Sequence, residues 1–351
     1  MLNDCQCTEV TPTPRPDRLV FYSPSRHVMH SLLRQFQRLS LTAENPNGHL
    51  VVGVSDLQKL EGLHQNLTLT EQGDLRVAPQ YGDQMNIWEA ASLGIWITRL
   101  KTGWFQGAME HLLFHAQPIV RLNGGELAGY EALVRSAPPE AFYGAGPLLE
   151  AALAHGQIRA FDARARTAAI EQVYPHLPES ASLFINFLPS VVYDPAVCLN
   201  STFQACQRTG ADLGRLVFEV VESEHFPDLT LLKSILDRYR AEGARVALDD
   251  LGGGYTSLSY LEVLKPDIVK LDRTLIREIT PDDPRVQLVS ALIRYAHDLG
   301  VEVIAEGIET LQELQLASEL GADYVQGYFL GKPAPQLQSI TVQAQAFFTG
   351  T

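Results

Sequence analysis

Basic residues are scarce in this chain: 27 Lys and Arg stand against 41 Asp and Glu, for a net charge of −14. No Lys/Arg-rich run occurs anywhere. A protein that grips duplex nucleic acid by its phosphates needs the opposite balance, or at least a basic stripe, so that class is excluded. A phosphate-bearing ligand would have to be brought in by metal ions rather than by net charge. Cysteine is also sparse, with 4 residues at positions 5, 7, 198 and 206. Four thiols do not make a disulfide framework in a chain this long. No apolar run approaches the ~18 residues of a membrane span. The opening MLNDCQC has neither the basic segment nor the apolar stretch of a signal peptide. No membrane insertion is expected, and the expected location is the reducing cytoplasm.

What is present is ordinary for a folded enzyme: 351 residues, 46% hydrophobic and 19% charged, enough to bury a large core without a staple. Pro12, Pro14 and Pro16 alternate through a polar stretch, which marks residues 1–17 as a flexible tail. Residues 18–105 read as a small α/β domain. Leu19–Tyr22 and His49–Val54 look like strands, and Ser25–Leu39 and Ser55 to about His64 like helices. From Trp88 to about Phe114 apolar residues recur at helical spacing, predicting one long connecting helix with a break allowed at Gly103, along which Trp88, Trp96 and Trp104 pack.

Residues 106–351 change character. Strand patterns at Ala116–Arg121, Leu183–Phe187, Leu216–Val221, Arg245–Asp249, Asp267–Leu271, Val301–Ala305 and Asp323–Gln326 alternate with helical stretches. The latter include Leu148–Tyr174, Leu229–Glu242, Val286–Leu299 and Leu311–Leu320. Alternation of this kind implies a mainly parallel sheet. The span of 239 residues from Leu113 to Thr351 approaches the ~250 of a TIM-like (β/α)8 barrel. A doubly wound sheet is the rival, but no glycine-rich dinucleotide fingerprint follows an early strand.

Function in such a barrel sits at the C-terminal ends of the strands. Those ends carry Asn186, Glu219, Asp249 with Asp250, Lys270, Glu306 and Gln326, while Glu131 opens the earlier segment EALVR. Carboxylates gathered at one mouth repel each other unless a cation compensates them. Oxygen-only donors select Mg²⁺ or Mn²⁺ over zinc. Asp249 and Asp250 are adjacent, so in a regular strand they face opposite sides. Both reach one site only if the strand ends there, and the glycines of LGGGY (251–255) are read as that turn.

This constellation resembles the EAL family of cyclic di-GMP phosphodiesterases. The resemblance rests on QPIV (117–120), Glu131-Ala132-Leu133 followed by Val134-Arg135, INFLPS (185–190) and FEVVES (218–223). It continues through ALDDLGGGYTSLSYL (247–261), IVKLDR (268–273), IAEGIET (304–310) and VQGYFLGKPAP (325–335). It implies an EAL-type barrel with one antiparallel strand. It further implies metal ligation, by two ions, through Glu131, Asn186, Glu219, Asp249, Asp250 and Glu306. Lys270 and Gln326 would attend the attacking water, with Glu131 and Glu306 counted in the catalytic set. Gln117, Leu133 and Arg135 would line the substrate, with Glu309 in a matching position nearby, and Glu222 would steady the loop after the aspartates. Leu251 and Gly253 depart from the usual phenylalanine and threonine or alanine of that loop.

The implied reaction is hydrolysis of cyclic di-GMP to linear pGpG. Two cations ~4 Å apart would share and activate a water. Lys270, if near two cations, is expected either to lose its proton readily or to remain charged against the phosphorane. A catalytically silent cyclic di-GMP receptor is the alternative, but silent members usually lose a ligand or the loop motif. A scaffold with an idle barrel leaves the strand-end carboxylates unexplained. Cyclic di-GMP and a second copy of the chain, paired through the barrel, are the implied partners. The first domain carries no legible chemistry, and its place ahead of the barrel gives it an expected sensory or regulatory role.

Overall fold

A computed structural model describes residues 13–42, 49–137, 141–220, 228–253 and 258–350. The chain divides into two units, one of Val10–Glu110 with Gly146–Ile158, the other of the remaining residues including His111–Ala145 and Arg159–Thr351.

The first unit carries a four-stranded antiparallel sheet of β1 (Arg18–Tyr22), β2 (Leu50–Gly53), β3 (Arg76–Tyr81) and β4 (Gln84–Met85), in the order β2-β1-β3-β4. Only the first two strands were legible in the sequence. Pro79 and the short, exposed β4 break the apolar alternation that would have marked the second hairpin. Helix Arg26–Arg38 starts where Ser25 accepts from the Val28 amide. It lays Val28, Leu32 and Phe36 on the sheet residues Leu19 and Phe21. Helices Leu57–Asn66 and Leu93–Lys101 close the same core, and Trp96 anchors the second through Nε1 donated to the Val77 carbonyl at 2.8 Å.

The connecting helix parts at Gly103, where the sequence allowed a break, and is shorter than expected at both ends. Ser92 caps a helix at Leu93–Lys101, a second runs from Phe105 to Glu110, and Leu112 already opens a strand. Thr102 turns its hydroxyl back onto the Thr98 carbonyl, and Gly103 follows, so the first helix stops there. Trp88 precedes the cap and is 92% exposed, whereas Trp96 is wholly buried, so the eight-residue spacing of the tryptophans is not a packing stripe. Leu148–Tyr174 is likewise two helices, Ala145–Ala154 and Ile158–Gln172, parted at Gly156 with φ +68°. The first of them clusters with the first unit.

The second unit is a closed eight-stranded barrel. Its strands are β5 (Leu112–Arg121), β6 (Leu127–Ser136), β7 (Ser182–Phe187), β8 (Leu216–Val220), β9 (Arg245–Leu251), β10 (Ile268–Leu271), β11 (Glu302–Ala305) and β12 (Tyr324–Gln326). β5 pairs antiparallel with β6 and β12, and the other neighbours run parallel. The sequence reading lacked β6, whose Tyr-Glu-Ala-Leu-Val-Arg stretch carries charge at positions that alternation alone would call a helix or a loop.

One layer of side chains fills the barrel's interior: Ile119, Phe184, Val217, Ala247, Ile268, Ile304 and Tyr324. Gly129 of β6 belongs at this level, because a Cβ there would meet the Ser182 carbonyl at 2.5 Å and the Phe184 ring at 2.9 Å. Side chains alternate along a strand, so the residue two places further on faces inward again. That rule sets the next layer: Glu131, Asn186, Glu219, Asp249, Lys270, Glu306 and Gln326. On antiparallel β5 it is Gln117, two places earlier. An apolar floor thus carries a polar layer above it.

Candidate active site

Lys270 stands at the centre of the polar layer, 1% exposed, with its Nζ 2.6 Å from Glu306, 3.2 Å from Glu219, 3.4 Å from Glu131 and 3.7 Å from Asp249. Burial works to lower its pKa, but the four carboxylates overcome this and raise it well above the usual value. In the absence of a metal ion, the surrounding carboxylates therefore favour the charged ammonium.

Glu131 links three strands. Asn186 donates its side-chain amide to Glu131 Oε1 at 2.7 Å, and Gln326 donates to Oε2 at 2.7 Å. Burial pushes the Glu131 carboxyl up, yet Lys270 and these two amides together hold it below the ordinary range. Gln326 also donates to Gln117 Oε1 at 3.2 Å, and Gln117 donates to the Gly331 carbonyl. The Oε1 of Gln326 is buried with no hydrogen-bond partner among the described residues.

The other carboxylates are shifted in the opposite direction. Glu219 is completely buried and neither of its oxygens meets a hydrogen-bond donor among the described residues; Lys270 lies near Oε1, but not in hydrogen-bonding alignment. Burial drives its pKa well above the usual carboxylate range. Asp249 is raised by burial too. Burial and the neighbouring Asp249 push Asp250 up to about 7, and burial lifts Glu306 to about 8 against the opposing pull of Lys270. Oxygens of Asp249, Asp250 and Glu306 lie within 4.8 Å of one another. Several hard oxygen donors short of positive charge, two of them orphaned, suit one or two divalent cations.

Asp249 and Asp250 share this mouth by a route other than the expected glycine turn. Asp250 itself takes a left-handed backbone, φ +55°, and the register between β9 and β10 slips by one residue between Val269 and Leu271. The bulge turns consecutive side chains to one side while the strand continues to Leu251. Among the glycines that follow, Gly253 is required by contact, since a Cβ would lie 2.5 Å from the Asp272 carboxyl.

The remaining sequence candidates divide. Arg135 is half-buried at the end of β6, with one Nη on the Val134 carbonyl, and Leu133 is half-buried beside it. Glu309 is not drawn into the cluster; its carboxylate is exposed and faces Arg273 at 3.6 Å. Glu222 and residues 254–257 lie outside the described residues. Cys198 and Cys206 are both buried, on two successive helices.

Glu313 escaped the sequence reading. Its carboxylate accepts the amides of Glu278, Glu309 and Thr310 and so clamps the segment that follows Glu306. The capping-box spacing Thr310-x-x-Glu313 is the signal that would have found it.

A family model described as the EAL domain matches residues 102–333. The bifunctional diguanylate cyclase/cyclic di-GMP phosphodiesterase MucR of Pseudomonas aeruginosa is 30% identical over 233 residues, covering 65% of this chain and 34% of that protein. The cyclic di-GMP phosphodiesterase NbdA of the same organism is 31% identical over 230 residues, covering 64% and 29%. The chain thus spans about a third of the length of these curated relatives. A standalone EAL protein from Vibrio cholerae O395, solved in a c-di-GMP bound form, superposes with a TM-score of 0.58 at 30% identity, over 67% of this chain and 97% of that one.

Proposed function

Because the chain belongs to the EAL domain family, we propose that it is a metal-dependent phosphodiesterase that hydrolyses cyclic di-GMP to linear 5′-pGpG. The observation that carries this reading is the polar layer itself, in which Glu131, Asn186, Glu219, Asp249, Asp250 and Glu306 surround one buried lysine with more negative charge than it can balance. The names of the relatives MucR and NbdA support the substrate.

Those six residues would hold Mg²⁺ or Mn²⁺, as two ions, and the cations would supply Lewis-acid polarisation of the phosphodiester and a lowered water pKa. The chain's own groups do the rest. Gln326 is fixed by its amide donated to Glu131, which leaves a buried acceptor oxygen for a water proton. Water adds to phosphorus and the bond to the 3′ oxygen breaks; the proton lost by the water goes, in net terms, to the departing 3′ oxygen, leaving a 3′ hydroxyl and a 5′-phosphate. Lys270 remains charged and offers its N–H groups to the negative charge that grows on the phosphoryl oxygens. Arg135 presents a planar fork to a second phosphate oxygen, with Gln117 and Leu133 beside it.

The same reading includes a cytoplasmic homodimer formed through the barrel and control of turnover by the first unit, in line with the wider family. Among the described residues no helix is long and apolar enough to cross a membrane.

The deciding experiment incubates the purified chain with cyclic di-GMP and Mg²⁺ or Mn²⁺ and separates the nucleotides by chromatography, with Asp249→Asn alongside. Conversion to pGpG that is lost in the variant supports the enzyme. Tight binding without turnover makes the protein a receptor instead, and the absence of both binding and turnover overturns the reading. Sedimentation of the same samples tests the dimer.

A further inference from the structure

Within the first unit lies a cavity of about 420 Å³ that the phosphodiesterase reading does not use. Pro16, Trp96, Leu100 and Phe105 give it apolar and aromatic walls, and Arg99 and His155 supply polar groups. Among the described residues no acidic side chain lines it, in a chain with a net charge of −14.

Arg99 is the central feature. Its guanidinium lies 4.6 Å above the Trp96 ring and its Nε donates to the Ala154 carbonyl. Neither Nη has a hydrogen-bond or carboxylate partner among the described residues. The nearby Glu89 is already engaged, accepting from Tyr81 at 3.0 Å and from Asn86 at 2.8 Å. Burial lowers the Arg99 pKa, so the charge is held at a cost that a bound anion would relieve. His155 is stacked on Phe105, with ring centroids 5.4 Å apart, and meets Thr102 through Nε2. Burial lowers its pKa as well, so at neutral pH it adds aromatic surface rather than charge.

A half-buried, unpaired guanidinium at the side of an aromatic cavity matches a small ligand with one anionic end and one flat apolar end. We propose that this cavity is a binding site for a small aromatic carboxylate, held by Arg99 through its carboxylate and by the aromatic and proline walls through its ring. The volume suits a ligand of one or two rings.

Ligand-observed NMR on the full chain, without nucleotide or metal, tests this with benzoate, its neutral counterpart benzamide, and acetate. Benzoate should bind saturably, with benzamide and acetate at least ~tenfold weaker, because each lacks one of the two recognised ends. Arg99→Gln should remove the preference for benzoate over benzamide. Gly103 also lines the cavity, and a Cβ there meets no heavy atom within 4 Å. Gly103→Phe should therefore abolish benzoate binding while leaving the thermal unfolding midpoint in place, and it decides the matter if Arg99→Gln fails to fold. No saturable benzoate binding, equal binding of benzoate and benzamide, or wild-type binding by Gly103→Phe would each overturn the proposal. Turnover of cyclic di-GMP has no part in the readout, so its failure and this one are distinguishable.

Discussion

Among the described residues Lys270 approaches Glu306 more closely than any other carboxylate, 2.6 Å from Nζ to Oε1; Glu306 follows directly on the strand next to that of Lys270, and three more acids crowd the same ammonium. The lysine is the internal counter-charge of a site that is otherwise short of one.

Lys270→Met follows from that position. It keeps the volume of the stem but leaves Glu131, Glu219, Asp249 and Glu306 without their cation. Breaking a buried pair in this way costs about 3–5 kcal/mol. Chemical denaturation without divalent ions should show the loss, and saturating Mn²⁺ should restore part of it. A variant as stable as the parent under chelation would show that the carboxylates are protonated instead.

Glu219→Gln works in the opposite direction. The native carboxylate is buried, has no hydrogen-bond donor among the described residues and is pushed well above its usual pKa. A neutral isostere relieves that burden, so without metal the unfolding midpoint should rise by roughly 2–4 °C. Turnover should fall by roughly a hundredfold or more. A fall in both quantities would mean that Glu219 supports the fold in a way its contacts do not reveal.

The pH dependence has a definite sign. Asp250 and Glu306 have folded-state pKa values raised to about 7 and about 8, above the ordinary 3.8 and 4.5. Between those limits the folded chain binds more protons than the unfolded one. Stability from these groups is thus fully present below the unfolded values and lost as pH rises through the folded ones. Glu131 is shifted down and acts only in more acid solution, where its contribution is lost as pH falls. With a chelator present, the thermal midpoint should decline from about pH 5 to pH 8. Mg²⁺ or Mn²⁺ should flatten that decline, because cations compete with protons for the same oxygens. A midpoint that climbs over this interval under chelation would contradict the assignment.

A second buried charge pair supports the site from outside the barrel. Asp162, on helix Ile158–Gln172, accepts the Leu188 amide at 2.8 Å, two residues after Asn186, and is paired with Arg166 at 2.9 Å. Arg166 also donates to Thr202 and Tyr239. Arg166→Met should destabilise the chain by about 3–5 kcal/mol, since it leaves Asp162 buried and unpaired. Adding Asp162→Asn should recover part of the loss while keeping the Leu188 contact. A double variant no better than the single would place the cost in packing instead.

Much of the site could be read before any coordinates. Six strands end in the pattern apolar-x-polar: Phe184 and Asn186, Val217 and Glu219, Ala247 and Asp249, Ile268 and Lys270, Ile304 and Glu306, Tyr324 and Gln326. Period-two alternation is a local property of the chain, so it exposes both the floor of the barrel and the residues above it. The motif order likewise identified the family, because residue type and spacing survive without knowledge of pairing.

Other features depend on segments far apart in the chain and left no local mark. Glu131 lies on a strand that became recognisable only through its pairing with β5 and β7. Asp250 joins Asp249 because β9 slips against β10, which the run of glycines after it did not reveal. Gly129 is glycine because Phe184 and the Ser182 carbonyl approach it from the next strand. The helix Ala145–Ala154 clusters with the first unit although barrel strands precede and follow it in sequence. The sequence by itself determined which side chains form the polar layer and on which repeating unit each one lies. The tertiary structure alone decided which of them meet, because close approach, strand register and the charge balance of a buried site belong to pairs of segments, not to either one.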